Sequence, residues 1–425
     1  MKGLTADAFG LSDFQSKLER FLTVEHGFVD GALVVALAAR FGAGKSTFLK
    51  LWNADLLGRA AEGESMVPIV LDAWEGDFCG DPLLSILAGL VEATQQHANE
   101  NMVGKLKEAA ADVGWFSTAM ANGVIAKFTG LDPVKAGGVA EKKKAERQKR
   151  PDFIQLFEQR RKAFDDLKEA LKSLYGGDEP KAVVFVDELD RCRPDYAIGY
   201  LETIKHVFDI EGMVFVLAVD KEQLASSAKA LFGEGLNFDE YFRKFCHRTV
   251  NLPAPDERGH EKLIAGYADR YLRSYRLLHR EQQIIFDLIK TLHLTPRQIQ
   301  EAFRCIGHAI SEIAGAENTV RKNILGMSII LAFLQVGEEA TYLRMTGQQM
   351  YDKEVKELFQ RLGCGGWDWW FKVYLVGIDR NASDISVAVG AKLSPIEESS
   401  MCKDWGGASF ARVVEVIEKV GKFGR

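Results

Sequence analysis

The chain has 425 residues, 54 of them Lys or Arg and 60 Asp or Glu, for a net charge of −6. That length predicts two domains, or one domain with a helical lid, and the mixed charge is that of a soluble globular protein. It excludes a global electrostatic drive toward nucleic acid or anionic membrane. No run of about 18 uncharged apolar residues is present to cross a bilayer, and Met1 to Phe21 lacks the continuous apolar core of a secretory leader. Six cysteines lie far apart without a C-x-x-C pair, which suits reduced thiols and a cytoplasmic location.

In chain order, Ser12-Asp13-Phe14-Gln15 reads as a capping box, followed by Phe14, Leu18, Phe21 and Leu22 at helical spacing. Leu33 to Leu37 is a short apolar strand. It feeds Ala39-Arg40-Phe41-Gly42-Ala43-Gly44-Lys45-Ser46-Thr47, and Phe48, Leu49, Leu51 and Trp52 then continue as a helix. Strand, glycine-rich loop and helix together make a phosphate site. Gly42 and Gly44 let the backbone approach an anion, and successive N–H groups at the helix start face the phosphates. Phe41 to Thr47 are the expected nucleotide-binding residues, with Lys45 reaching the β- and γ-phosphates and Ser46 taking one Mg²⁺ position. Ala39 stands where G-x-x-x-x-G-K-[ST] has its first glycine. A glycine-rich turn with a solvated lysine is the plainer alternative.

Val67 to Leu71 reads as a second buried strand, and Pro82 opens a helix carrying Leu83, Leu84, Ile86, Leu87 and Leu90. Residues 100–150 change character and read as an insertion or flexible excursion that ends in a basic run, Glu141 to Arg150. Lys142 to Arg150 form either a solvated helix face or a patch for phosphate groups of nucleic acid or lipid. A helix is expected over Phe153–Tyr175, a strand over Lys181–Val186, a helix over Tyr196–Phe208 and an apolar strand over Met213–Val219. Strands alternating with helices predict an α/β domain with a parallel sheet. From Asp256 onward the periodicity is mainly helical, apart from an irregular stretch at 377–411. The expected organisation is a P-loop core over residues 1–255, with its insertion at about 100–150, and a mainly helical domain over 256–425.

Ala182-Val183-Val184-Phe185-Val186-Asp187-Glu188 is an apolar strand ending in two acids, the Walker B pattern. Asp187 is placed to hold Mg²⁺ beside Ser46, and Glu188 to polarise an attacking water. Asp190 either orients water or pairs with Arg191. Asp220, ending the next strand, either senses the γ-phosphate or caps the following helix. Arg243, Lys244 and Arg248 are candidates for a cation supplied across a subunit interface, with solvated surface charge as the alternative. Thr295-Pro296-Arg297-Gln298 reads as a helix start. Arg297 in a first turn is electrostatically unfavourable there and calls for an anion, either a nucleotide phosphate or a carboxylate. Trp367, Trp369, Trp370 and Phe371 form either a partner patch or core packing of the helical domain.

These residues resemble the KAP family of P-loop NTPases, within the wider AAA+/STAND-like group. Phe41-Gly42-Ala43-Gly44-Lys45-Ser46 is similar to the family's aromatic-Gly-x-Gly-Lys-Ser/Thr. Leu71-Asp72-Ala73-Trp74 is similar to its Asn-Ala-Trp element. Asp187-Glu188-Leu189-Asp190-Arg191-Cys192 is similar to its Asp-Asp-Leu-Asp-Arg-Cys, and Tyr241 to Pro255 to its Tyr-x-x-Lys segment, which sets Lys244 on the family's lysine. The likeness spans roughly residues 5–310. Ala39, Phe41 for Trp, Glu188 for Asp and Asp72 for Asn depart from the pattern. Many members carry paired membrane helices between the two Walker motifs; residues 100–150 are too polar to take that place. The resemblance implies ATP with Mg²⁺, hydrolysis coupled to a conformational or assembly switch, a homo-oligomer on ATP binding, and a setting in phage or plasmid exclusion. The alternative is an ATP-gated binding module of negligible turnover that acts through a partner protein or nucleic acid. A nucleic-acid motor is disfavoured by the acidic balance, and no acceptor site for a kinase is readable.

Overall fold

The structure, a computed structural model, describes residues 10–60, 66–97, 100–121, 153–272, 275, 277–313, 322–364, 366–378, 385, 387–388 and 410–423. The basic run Glu141–Arg150 and most of the 377–411 stretch lie outside the described residues. The chain divides into two compact units. One comprises residues 13–41 and 45–252; the other comprises residues 253–425 with Gly42–Gly44 and the first twelve residues.

The first unit is a five-stranded sheet of order β2-β3-β4-β1-β5, with β1 Leu33–Ala38, β2 Val67–Asp72, β3 Ala182–Asp187, β4 Met213–Val219 and β5 Arg248–Asn251. All four strand pairs are parallel. β1 and β4 are buried at every residue, the continuous apolar reading of strands covered on both faces. β2 is an edge strand, where Pro68 is tolerated. The helices of this unit are α1 Ser12–His26, α2 Lys45–Ala60, α3 Ala73–Asp77, α4 Pro82–His97, α5 Glu100–Ala121, α6 Phe153–Tyr175, α7 Pro194–Val207, α8 Lys221–Phe232 and α9 Phe238–Phe242.

α2 is pinned through Trp52, which is fully buried. Its ring centroid lies 4.8 Å from that of Phe185 on β3. Its indole N–H donates to Glu19 Oε1 of α1 at 2.6 Å, and Arg59 pairs with the same carboxylate at 2.7 Å. The helix that starts at the glycine-rich loop is therefore fixed on both the sheet and α1. The expectation of an excursion over 100–150 is corrected for its first part. Residues 100–121 form α5, which packs on α4 and α6 and buries Leu106 and Val113. The Ala and Gly content that reads as irregular belongs to this helix, with Ala109 buried in the core.

β5 completes the sheet at the other edge. Cys246 and His247 lead into it: the His247 N–H donates to the Val34 carbonyl at 2.8 Å, and the Val34 N–H donates to His247 Nδ1 at 3.0 Å. This second bond needs Nδ1 unprotonated. Burial, and then the neighbouring Lys205 charge, push the imidazole below its usual value.

The second unit is all helix in the described residues: α10 Glu257–Leu272, α11 His279–Thr291, α12 Pro296–Ile313, α13 Lys322–Gly337, α14 Glu339–Thr346, α15 Asp352–Leu362, α16 Trp367–Gly377 and α17 Phe410–Phe423. α13 is apolar all round and packs against α11, α12, α14, α16 and α17, the pattern of a central buried helix. Trp370 and Phe371 are buried within this unit. Gly326 of α13 lies beneath the Trp370 ring, so closely that a Cβ there would fall 2.0 Å from a ring carbon. Core packing is thus the outcome for these two aromatics.

Two outcomes are expected. Gly212 precedes β4 with φ +88°, its N–H donates to His26 Nε2 at 3.0 Å, and an added Cβ would lie 2.1 Å from the Tyr175 carbonyl. Gly212→Ala should lower unfolding stability by about 2–4 kcal/mol in urea titration, from strain and overpacking together. Because the folded His247 holds its proton less tightly than an unfolded histidine, its share of stability is complete above pH about 6.5 and is lost as pH falls through the lower folded value. Melting temperature measured from pH 8 to pH 5 should show an acid-side loss that is smaller in His247→Asn.

Candidate nucleotide site

The carboxyl ends of β1, β3 and β4 converge, and the site is built from the residues that leave them. After β1 the chain turns through Gly42, φ +81°, and Gly44, φ +101°, and enters α2 at Lys45. Both glycines adopt backbone that side chains disfavour. Ala39 is not among the residues with positive φ, so an alanine replaces the expected glycine at no conformational cost. The loop and the helix start present backbone N–H groups and the positive end of a helix dipole to an anion.

Lys45 is only 8% exposed. Its Nζ donates to the Ala39 carbonyl at 2.9 Å and sits 3.5 Å from Asp190 Oδ2. Asp190 follows β3 in a single 3₁₀ turn, Leu189–Arg191. The same Asp190 Oδ2 accepts the backbone N–H of Asp220 at 2.7 Å. Asp220 caps α8 by accepting the Glu222 N–H at 3.2 Å, and its other oxygen accepts the Phe41 N–H at 2.8 Å. The N-cap reading of Asp220 is therefore realised, and the residue also holds the glycine-rich loop. Of the two readings of Asp190, the pairing with Arg191 is not found: Asp190 serves Lys45, while the Arg191 guanidinium pairs with Glu188. In so tight a turn, side chains one residue apart diverge, whereas i and i+3 eclipse.

Ser46, at the start of α2, lies within reach of the Asp187 carboxylate at the end of β3 and so brings the two Walker elements together. Burial raises the Asp187 carboxyl above the usual range, against the opposing effects of Ser46 and of the hydrogen bond from the Glu188 N–H. Glu188 is likewise raised, first by burial, with the Arg191 charge pulling the other way. A hydroxyl and a carboxylate are the oxygen donors a Mg²⁺ ion accepts, and such an ion takes its remaining ligands from water and phosphate. The residues present fit that group. Cys192, next to the turn, has its thiol pushed up to about 12 by burial and is no nucleophile.

The other predicted residues are placed as follows. Arg297 is in the first turn of α12, which Thr295 and Gln298 cap reciprocally: Thr295 N–H donates to Gln298 Oε1 at 2.9 Å and Gln298 N–H to Thr295 Oγ1 at 3.4 Å. The Arg297 N–H also donates to the Gly42 carbonyl at 3.2 Å, and a Cβ on Gly42 would meet the Arg297 Cβ at 2.8 Å. Glycine at 42 thus serves both the turn and this approach. Arg243 and Lys244 are exposed just after α9, with Lys244 Nζ 5.7 Å from the Tyr241 ring centroid. Arg248 pairs with Glu25 at 2.8 Å and lies opposite Val35, three residues short of the end of β1. It is not brought to the loop of its own chain.

Sequence reading does not find the surroundings of β2. Asp72 lies in register with Asp187 and caps α3 by accepting the Glu75 N–H at 3.1 Å. Beyond it a groove of about 710 Å³ is lined by Asp72, Trp74, Glu75, Asp77, Phe78 and Arg193. Arg193 clasps Asp77 through its backbone N–H at 3.1 Å, its Nε at 3.0 Å and a further bond to the Asp77 carbonyl. No periodic signal joins these two residues; only the parallel pairing of β2 with β3 does.

The fold and this constellation define a P-loop nucleotide-binding protein. The chain belongs to the KAP family: the family model described as the KAP family P-loop domain matches residues 24–309. Among solved structures, the chain is similar to the Aeropyrum pernix ORC2 protein in its ADP form, at 14% identity over 100% of this chain and 95% of that one, with a TM-score of 0.37. It is similar to the same protein in ADPNP–ADP complexes at 14% identity over 97% and 94%, with a TM-score of 0.40. Likenesses this distant bear on neither ligand nor activity. No curated protein matches the sequence. Among the described residues, no helix is long and apolar enough to cross a membrane.

Lys45 and Asp190 form a buried ion pair, and breaking such a pair leaves an uncompensated charge. Asp190→Ala is expected to cost about 3 kcal/mol of stability, with a much smaller further loss in Lys45→Met/Asp190→Ala. Urea denaturation of the two single variants and the double variant measures the coupling.

Proposed function

We propose that this protein is a Mg²⁺-dependent ATPase that uses ATP hydrolysis to drive a conformational or assembly switch. The observation that carries this reading is the placement of Ser46, at the start of α2, beside Asp187 at the end of β3, with Glu188 next in the chain. It sets an Mg²⁺ ligand pair beside the phosphate loop and an acid one residue on. Lys45 would exchange the Ala39 carbonyl and Asp190 for β- and γ-phosphate oxygens. Mg²⁺ on Ser46 and Asp187 would supply charge neutralisation of the phosphates. Glu188 would accept a proton from water as the water oxygen bonds to the γ-phosphorus and the bond to the ADP oxygen breaks. Burial keeps the Glu188 carboxyl more basic than an exposed one. ATP rather than GTP follows from the family resemblance, since the chain has no Asn-Lys-x-Asp element.

Arg297, beside Gly42, is the candidate for a phosphate-facing cation within the chain. Arg243, Lys244 and Arg248 are candidates only toward a second copy. A homo-oligomer formed on ATP binding, a protein effector and a role in exclusion of phage or plasmids complete the proposal; the family resemblance is their support. An ATP-gated binding module with negligible turnover is the second reading, and the Glu188–Arg191 pair favours it, because a general base so occupied accepts a proton less readily.

Phosphate release from Mg-ATP is the test. Wild type should hydrolyse ATP; Lys45→Ala should lose ATP binding; Glu188→Gln should bind ATP yet turn over at least about 100-fold more slowly, the usual scale of general-base loss. Light-scattering mass with and without ATP should show the trapped assembly in Glu188→Gln. Binding without phosphate release in wild type would favour the gated module.

A further inference from the structure

Glu188 is one of the few non-glycine residues of the described chain in left-handed backbone, φ +62° and ψ +18°. Such a conformation costs free energy and persists only where its surroundings impose it. The surroundings here are specific. The Glu188 carboxylate is paired through Oε2 with Arg191 Nε, three residues on in the 3₁₀ turn. Arg191 is held in its turn: its guanidinium carbon lies 5.0 Å from the Phe41 ring centroid and 5.9 Å from that of Trp74. Phe41 belongs to the phosphate loop and is 48% exposed; Trp74 follows β2 and is 55% exposed. Both are large apolar side chains left at the surface, and the guanidinium on them accounts for the placement, since Arg is the cation best suited to lie on aromatic faces.

We propose that Arg191 is a latch on the general base: gripped by Phe41 and Trp74, it sequesters the Glu188 carboxylate, and turnover requires its release. This rests on the hydrolytic reading above and adds its regulation. Arg191 acts through Glu188 and is a positioning residue. The pair is partly exposed, so its grip is modest and reversible, as exposed ion pairs are. The latch sits where two events can reach it. A rearrangement of the phosphate loop moves Phe41, and anything that seats on the exposed Trp74 displaces the other face. The arrangement gives a low basal rate that rises when either aromatic is drawn away.

The full-length chain tests this with Mg-ATP in steady-state phosphate release, alongside nucleotide affinity by fluorescent-ATP titration. Arg191→Met and Arg191→Gln remove the charge and keep length; far-UV circular dichroism checks folding. Both should raise kcat about fivefold, the factor a weak ion pair represents, with KM and affinity unchanged. Arg191→Lys, which keeps a charge, should fall between wild type and Arg191→Met. Trp74→Leu should raise kcat in the same direction from outside the phosphate loop. In a Glu188→Gln background, Arg191→Met should change nothing, because there is no base left to release; a merely structural arginine would show no such dependence. An active wild type with no gain in Arg191→Met and Arg191→Gln overturns the latch alone. A fall in kcat at unchanged affinity also overturns it. An inert wild type that becomes active in Arg191→Met supports it most directly. Wild type and both variants binding ATP with no phosphate released overturn the hydrolytic reading and the latch with it.

Discussion

The Asp190 carboxylate is the constraint on which the site depends. One oxygen of this buried side chain faces the Lys45 ammonium and accepts the Asp220 N–H. Asp220 in turn accepts the Phe41 N–H. Three strand ends that are far apart in the chain are thereby tied by two carboxylates. Charge-assisted bonds of this kind are stronger than neutral ones, and a low-dielectric setting penalises any that goes unmade. The glycine-rich loop is consequently held from the side of β4, while its lysine is held from the side of β3. On the proposed reading, a phosphate would replace partners that are already in position, so Lys45 would need no ordering when an anion arrives.

Much of this is legible in the residues. The five-strand sheet follows from apolar runs that contrast with amphipathic helices, and four of its strands are readable in that way. β5 is not, since Arg248–Asn251 is short, mostly exposed and lies at an edge; nothing periodic marks such a strand. α5 escapes for the opposite reason. Its alanines and glycines read as irregular, and only the partner helices α4 and α6 make sense of Leu106 and Val113. At the site, the roles proposed for Lys45, Ser46, Asp187 and Glu188 rest on residue type and spacing. The choice of partners is invisible. Whether Asp190 answers Lys45 or Arg191 is settled by the eclipsing of a 3₁₀ turn and by the register of β3 on β4, and neither is written in local sequence.

The helical unit shows the limit of pattern reading from another side. α13 has apolar residues on every face and gives no amphipathic stripe. Its role becomes clear only from the helices around it, with Gly326 admitting the Trp370 ring. A cluster of aromatic residues in sequence is ambiguous between surface and core until a small residue opposite it is found. Here the small residue lies on a different helix, beyond the reach of any local window.

Pro68 carries a consequence for how this sheet can meet other chains. The Val67 N–H points inward to the Lys181 carbonyl, so the next residue along β2 turns its nitrogen outward, to the free margin. Proline has no hydrogen there to offer. The outer border of β2 is thus missing a donor near its start and carries the Asp72 charge at its finish. A foreign strand has no continuous ladder to extend. This edge of the sheet is guarded against templated growth into fibres.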